Sequence, residues 1–178
     1  MTPLAALDIT LGSCIQVVWL SSSAADSHSQ SRAFAAIKED GSVVTWGNAL
    51  YGGDSSAVAL LLSEGVVQAC GNNSAFAAIK DDGSVVTWGD AGSGGDSSPV
   101  APLLSEGVVQ LCGNVNAFAV IKADGSVVTW GPACSGGDSS AVAPLLSEGV
   151  VQVCGNANVF AAIKDDGSVV TWGDLLHF

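Results

Sequence analysis

Two histidines, five cysteines and seventeen carboxylates carry whatever side-chain chemistry this chain possesses. His28 stands beside Asp26 and Ser27 in a serine-rich stretch, SSSAADSHSQS at 21–31, and His177 is next to the C-terminal residue. A hydrolase triad needs nucleophile, base and orienting acid on a rigid scaffold, and a serine-rich loop offers none. The sequence contains no nucleophile elbow, phosphate-binding loop, dinucleotide fingerprint, Cys-x-x-Cys pair or histidine-rich metal spacing. The expectation is a chain with no catalytic residues, no cofactor and no metal, and so not an enzyme.

The cysteines and polar motifs recur at fixed places. Cys70, Cys112 and Cys154 hold one position of a repeat, while Cys14 and Cys134 lie outside that set. Equivalent positions on successive repeats rarely come within disulfide range. Mostly free thiols are expected, and with them an intracellular or organellar setting rather than secretion. The three repeated thiols follow an apolar strand and fill core space; on a strand lining an axis they would form a ring able to take a soft metal. GGDSS begins at Gly52, Gly94 and Gly136. It reads as a glycine turn closed by Asp and Ser hydrogen bonds, because calcium-binding repeats of similar composition follow one another directly in sequence. Asn72-Asn73-Ser74 fits the glycosylation sequon, once.

Charge bounds the partners. The chain has 178 residues, 12% of them charged, and a net charge of −12 with Arg32 as its single arginine. No basic patch can form, which excludes nucleic acid as an expected partner. A protein with a basic surface, or a place in a large complex, suits the charge better. No run reaches the ~18 apolar residues of a membrane span. Residues 9–20 are fairly apolar, but no Lys or Arg precedes them, as a signal peptide would require.

These residues are positioned by a repeat. Trp46, Trp88, Trp130 and Trp172 are 42 residues apart, and KDDGSVVTWGD occurs unchanged at 80–90 and 164–174. The units are 33–74, 75–116 and 117–158, with a partial fourth at 159–174, preceded by an N-terminal segment, 1–32, that holds partial blade strands and the serine-rich loop. A fixed period of this length specifies a repeat architecture. AFAAIK and SVVTW are short apolar runs joined by Asp-Gly, a hairpin signal because glycine accepts the positive φ of a tight turn. GVVQ-x-C is a third strand. The stretch after GGDSS (AVALLL, PVAPLL, AVAPLL) reads as a short fourth, with Pro102 and Pro144 on its edge; a helix is the competing reading. About four strands per 42 residues describe a blade whose sheet is buried only by stacking on its neighbours. The repeated Phe and Trp then pack between blades.

V-V-Q-x-C-G followed by F-A-x-I-K-x-D-G-S-V-V-T-W-G resembles the repeat of the RCC1 (regulator of chromosome condensation) family, and Tyr51-Gly52-Gly53 resembles the Tyr-Gly-x-Leu-Gly that follows its Trp-Gly. The resemblance covers about residues 15–174 and implies a β-propeller. It departs from the family in three respects: family blades are longer, the family propeller has seven of them, and the histidine that commonly follows the family's glycine is missing here. By the same analogy it implies guanine nucleotide exchange on a small GTPase, for which this chain shows no matching loop residues.

The expected fold is therefore all-β, a propeller-like repeat protein of about four short blades. It closes into a ring if the N-terminus, where Pro3–Leu7 resembles Pro99–Leu103, supplies the strand missing from the last blade; otherwise it is an open arc. The expected function is a non-catalytic protein-binding or scaffold module, or an accessory structural subunit of a large assembly. Equivalent turns share one rim, so Asp40, Asp82, Asp124 and Asp166 form a candidate protein-binding rim. Leu50 and Tyr51, which break the small-residue pattern of their counterparts, add a candidate contact on the opposite face.

Overall fold

The computed structural model describes the backbone of residues 16–19 and 33–174, with side chains over 33–174. Its strands are β1 (Gln16–Trp19), β2 (Ala33–Ile37), β3 (Val43–Gly47), β4 (Val66–Gly71), β5 (Ala75–Lys80), β6 (Val85–Gly89), β7 (Val108–Gly113), β8 (Phe118–Lys122), β9 (Val127–Trp130), β10 (Val150–Gly155), β11 (Val159–Lys164) and β12 (Val169–Gly173). They form four antiparallel sheets of three consecutive strands each: β1-β2-β3, β4-β5-β6, β7-β8-β9 and β10-β11-β12. The sequence unit and the sheet are out of phase by one strand. GVVQ-x-C belongs to the blade that follows it, and β1 opens the first blade by pairing with β2.

The middle strands β5 and β8 are buried on both faces, so they read as unbroken apolar runs rather than alternating ones. In β5, Phe76 and Ala78 face the preceding sheet, where they meet Ala33, Ala35 and Ile37 of β2. Ala75, Ala77 and Ile79 face the following sheet, where they meet Phe118, Val120 and Trp130. The third contact repeats the pattern with Ala117, Ala119 and Ile121 against Phe160, Ala162 and Trp172. Alanine on one side leaves room for Phe and Trp on the other. Phe and Trp are cross-strand partners, Phe76 opposite Trp88, and their rings stack at 5.3 Å between centroids with 14° between planes. The indole N–H reaches into the preceding unit: Trp88 donates to the Gly52 carbonyl at 3.1 Å, Trp130 to Gly94 at 2.9 Å and Trp172 to Gly136 at 3.0 Å. Gly52 has φ of +85°, and a Cβ there would stand 2.7 Å from the Phe76 ring. Glycine is required on both counts.

The expected fourth strand is instead a 3-10 segment, at Ser56–Val58, Ser98–Leu103 and Ser140–Leu145. The competing helical reading was nearer the truth, in its tighter form. Asp54, Asp96 and Asp138 start the segment by accepting the N–H of Ser56, Ser98 and Ser140 at 2.9 Å. Proline then suits its φ, without needing an edge strand. The segment packs against the outer strand of the following sheet, with Val58 in the first inter-sheet core and Val100 in the second. Leu62, Leu104 and Leu146 are buried at its end, and their carbonyls accept from Val43, Val85 and Val127 of β3, β6 and β9 at 2.9 Å.

Three inter-sheet contacts join four sheets in series. Pro3–Leu7, on which ring closure rested, lie outside the described residues. The far face of the fourth sheet is open, with Ile163 37% exposed where Ile121 is 4%. Among the described residues the molecule is thus an open array of blades.

Candidate protein-binding rim

The hairpin turns between middle and outer strands are made by Asp-Gly-Ser. Gly83 takes φ of +76° and donates to the Lys80 carbonyl at 2.9 Å. Asp82 Oδ1 accepts both the backbone N–H of Ser84 at 2.9 Å and its hydroxyl at 2.6 Å. Asp40 and Ser42 repeat this pair of bonds, as do Asp124 and Ser126, and Asp166 accepts from Ser168 N–H at 2.8 Å. The Ser hydroxyl, then the Ser N–H, hold all four carboxyls below the ordinary aspartate range, with the neighbouring lysine adding a smaller pull. Each carboxylate is therefore both a turn closure and a fixed negative charge in solvent.

The turns are linked along one rim. The Gly41, Gly83 and Gly125 carbonyls accept from Val66, Val108 and Val150, the first residues of the next blades' inner strands, at 2.9–3.0 Å. This places Asp40, Asp82, Asp124 and Asp166 together, one per blade. Sequence reasoning did not find the aliphatic residues beside them. Val67, Val109 and Val151 are each more than half exposed. They fall at the register shift between Val66 and Gln68 and its two copies, where a bulge turns the extra residue out of the ladder. Leu61, Leu103 and Leu145 are also about half exposed, next to the buried leucine that meets each blade. The signal available was the doublets Leu-Leu and Val-Val, in which one residue must face out when its neighbour faces in. Glu64, Glu106 and Glu148, in the connection between them, add further carboxylates. Exposed Val67, Val109 and Val151 thus directly follow the residues that bond to the acidic turns.

Leu50 and Tyr51 lie elsewhere, in a 3-10 turn, Ala49–Tyr51, at the opposite end of the outer strand. Leu50 is 76% exposed, whereas Tyr51 packs against the first inter-sheet core. The structure does not bring these two residues to the acidic turns.

The other motifs have structural occupations. Thr45 and Thr87 hydroxyls meet those of Ser55 and Ser97 at 2.9 and 3.0 Å, so the GGDSS turns are fastened to the sheet edge. Asn72 of the sequon is wholly buried: its amide donates to the Ser93 carbonyl at 2.6 Å and its oxygen accepts from Ala75 N–H at 2.9 Å. Asn114 repeats this with Ser135 and Ala117, so the asparagine is an anchor rather than a glycan acceptor. Cys70, Cys112, Cys134 and Cys154 are free thiols. Burial, with the Cys112 sulfur as a second cause, pushes the Cys70 thiol up to about 11. Burial also raises Cys112. No cluster of three His, Cys, Asp or Glu suited to a metal exists among the described residues. His28, Asp26, Ser27 and His177 lie outside them. No helix of the described residues is long and apolar enough to cross a membrane.

No family model and no curated protein matches the chain. Solved structures do. Prp20p from Saccharomyces cerevisiae, described for its binding to Gsp1p and histones, superposes with a TM-score of 0.56 at 17% identity, over 80% of this chain and 42% of that one. Human WBSCR16 gives 0.54 at 17% identity, over 80% and 45%. The ectodomain of the Physcomitrella patens receptor kinase CR4 gives 0.56 at 13% identity, over 91% and 41%. The chain spans less than half the length of these neighbours. A second structure of the yeast protein, identified there as RCC1 and bound to Kap60, agrees at 0.55. At these identities the likeness is one of fold: an RCC1-like, propeller-type arrangement of repeated three-stranded sheets.

Proposed function

We propose that this chain is a non-catalytic protein-binding module of the RCC1-like repeat type, and that its acidic rim takes a partner with a basic surface. The carrying observation is the rim itself. One ordered carboxylate per blade is presented at the same place on successive blades, flanked by exposed Leu and Val. Fixed carboxylates steer a basic partner into contact, and aliphatic side chains between them supply apolar area once it has arrived. That the similar Prp20p is described as binding Gsp1p and histones supports a protein partner.

The experiment is retention of partners from native extract by the whole chain across a salt series, with and without the triple change Asp82→Asn, Asp124→Asn and Asp166→Asn. Exposed charges are screened beyond ~8–10 Å at physiological ionic strength, so retention should fall as salt rises. The triple variant should associate more slowly while dissociating at nearly the same rate. Asparagine keeps an oxygen for the Ser N–H, so the turns survive. A partner indifferent to both salt and substitution would leave the rim as a solvated edge. The second reading, an accessory subunit in a large assembly, is favoured by Leu50, and would show as a stoichiometric complex released by Leu50→Asp.

A further inference from the structure

The octapeptide LLSEGVVQ occurs unchanged at 61–68, 103–110 and 145–152, and each copy carries the chain across from one blade to the next. Part of it is committed to the fold. Leu62 and Val66 are buried, the Leu62 carbonyl accepts from Val43 at 2.9 Å, and the Val66 N–H donates to the Gly41 carbonyl at 2.9 Å. Their neighbours Leu61 and Val67 are 53% and 58% exposed, and Leu103 and Val109 of the second copy and Leu145 and Val151 of the third are exposed to a similar degree. These outward aliphatic side chains add nothing to the core.

Each crossing is framed by carboxylates. The first lies between Asp40, in the turn that takes the Val66 N–H, and Asp81, whose own N–H donates to the Gly65 carbonyl at 2.7 Å; Glu64 is inside it. The third is built alike from Asp124, Glu148 and Asp165, with the Asp165 N–H donating to the Gly149 carbonyl at 2.8 Å. The second has Asp82 and Glu106, with Ala123 where the other two have an aspartate. One lysine stands at each crossing, and Lys164 Nζ is tied to the Leu145 carbonyl at 3.0 Å. Carboxylates therefore outnumber lysines at every crossing, around a pair of half-exposed aliphatic side chains. An apolar contact inside a polar surround is the make-up of a docking site.

Building on the reading of the acidic rim as a binding surface, we infer that the three crossings are equivalent subsites for one partner: a flexible basic segment that repeats a short unit, an aliphatic residue between lysines or arginines. Charge complementarity selects the basic side chains. The size of a subsite selects the repetition. Two half-exposed side chains hold a single aliphatic residue weakly, and three such holds become strong only when the units are linked, because the later ones bind at the effective concentration set by the linker. A folded basic surface does not present one unit three times at the spacing of the blades. Stacked sheets stand ~10 Å apart, a step that a linker of about four residues spans.

Synthetic peptides added to the whole chain test this. The probes are Lys-Val-Lys alone and three copies of it joined by Gly-Ser-Gly-Ser. The single unit should shift the amide resonances of Val67, Val109 and Val151 together. The triple unit should bind one per chain, at least ~100-fold tighter. The same triple peptide with Lys-Ser-Lys units, equal in charge, should lose most of that gain. Leu103→Ser with Val109→Ser, both at exposed positions, should weaken the triple unit about tenfold and leave the shifts at Val67 and Val151 unchanged. A triple unit no tighter than the single one overturns the linked subsites and leaves the rim standing as a binding surface. Equal binding of the Lys-Ser-Lys peptide overturns the aliphatic part of each subsite. Unchanged affinity of the folded Leu103/Val109 variant overturns the middle subsite and with it the row of three. No shift at any of the three valines, with either Lys-Val-Lys peptide at low salt, overturns the subsites and the rim reading together.

Discussion

Trp88 shows how much one repeated residue does here. Its ring stacks on Phe76, it is buried against the preceding sheet, and its N–H satisfies a carbonyl in the preceding unit. Trp88→Ala leaves a large cavity and an unpaired carbonyl, and should cost about 3–5 kcal/mol; urea melts measure it. A variant as stable as the wild type would place the indole outside the core. The turn aspartates give a pH prediction of definite sign. Their Ser hydrogen bonds lower the folded pKa below the ordinary value of 3.8. A depressed carboxyl stabilises the fold fully above the unfolded value, and that contribution is lost as pH falls through the folded value. Melting temperature should therefore be flat from neutral pH down to about 5 as far as these groups are concerned, then fall on further acidification. The Asp82/Asp124/Asp166→Asn chain should fall less steeply over the same range.

At the scale of the element, the 3-10 segment is the part the sequence signalled ambiguously. AVALLL and its copies are short apolar runs that period alone cannot assign. What decides is the outer edge of β3, β6 and β9, whose N–H groups need a partner, and a pocket between blades that takes one leucine. Val100 and Leu104 face in, while Leu103 is exposed. Leu104→Ala should cost about 2–5 kcal/mol, because a wholly buried side chain leaves a cavity at the blade junction. Leu103→Ala should change stability by no more than ~0.5 kcal/mol and should instead weaken partner retention. Equal effects of the two changes in thermal melts would show that the segment is not anchored as described. The hairpins, by contrast, were legible from Asp-Gly between Ile-Lys and Ser-Val-Val, because few residues tolerate the φ of +74° to +83° found at Gly41, Gly83, Gly125 and Gly167.

At the scale of the whole molecule, an open array and a closed ring answer truncation differently. In an array each sheet touches only its neighbours, so stability is a sum over blades and contacts. Removing residues 149–178 deletes the fourth sheet and one inter-sheet contact. The shortened chain should remain folded, with a β-type circular dichroism spectrum, a lower melting temperature and a urea m-value reduced by roughly a quarter, in proportion to the surface it exposes. In a ring the same deletion would break two contacts, and collapse of the fold would be the outcome.

The sequence by itself determined the repeat, its 42-residue period, the two strands on either side of each Asp-Gly, and the inter-blade place of Phe and Trp. These follow from local chemistry written out several times, and repetition makes such signals unambiguous. It also implied that the four turn aspartates share a rim, since equivalent turns of stacked units must. Only the tertiary structure decided which strands make a blade. The boundary between sheets falls one strand before the sequence repeat begins, because β4 pairs with β5 rather than with β3. Only the structure packed Tyr51 into the core beside an exposed Leu50, buried Asn72, and turned Val67, Val109 and Val151 outward. The physical reason is the same in each case. Periodicity records what a residue is and how far it stands from its copies, whereas exposure depends on which neighbouring sheet arrives to cover it, and at the far face of the fourth sheet none of the described residues does.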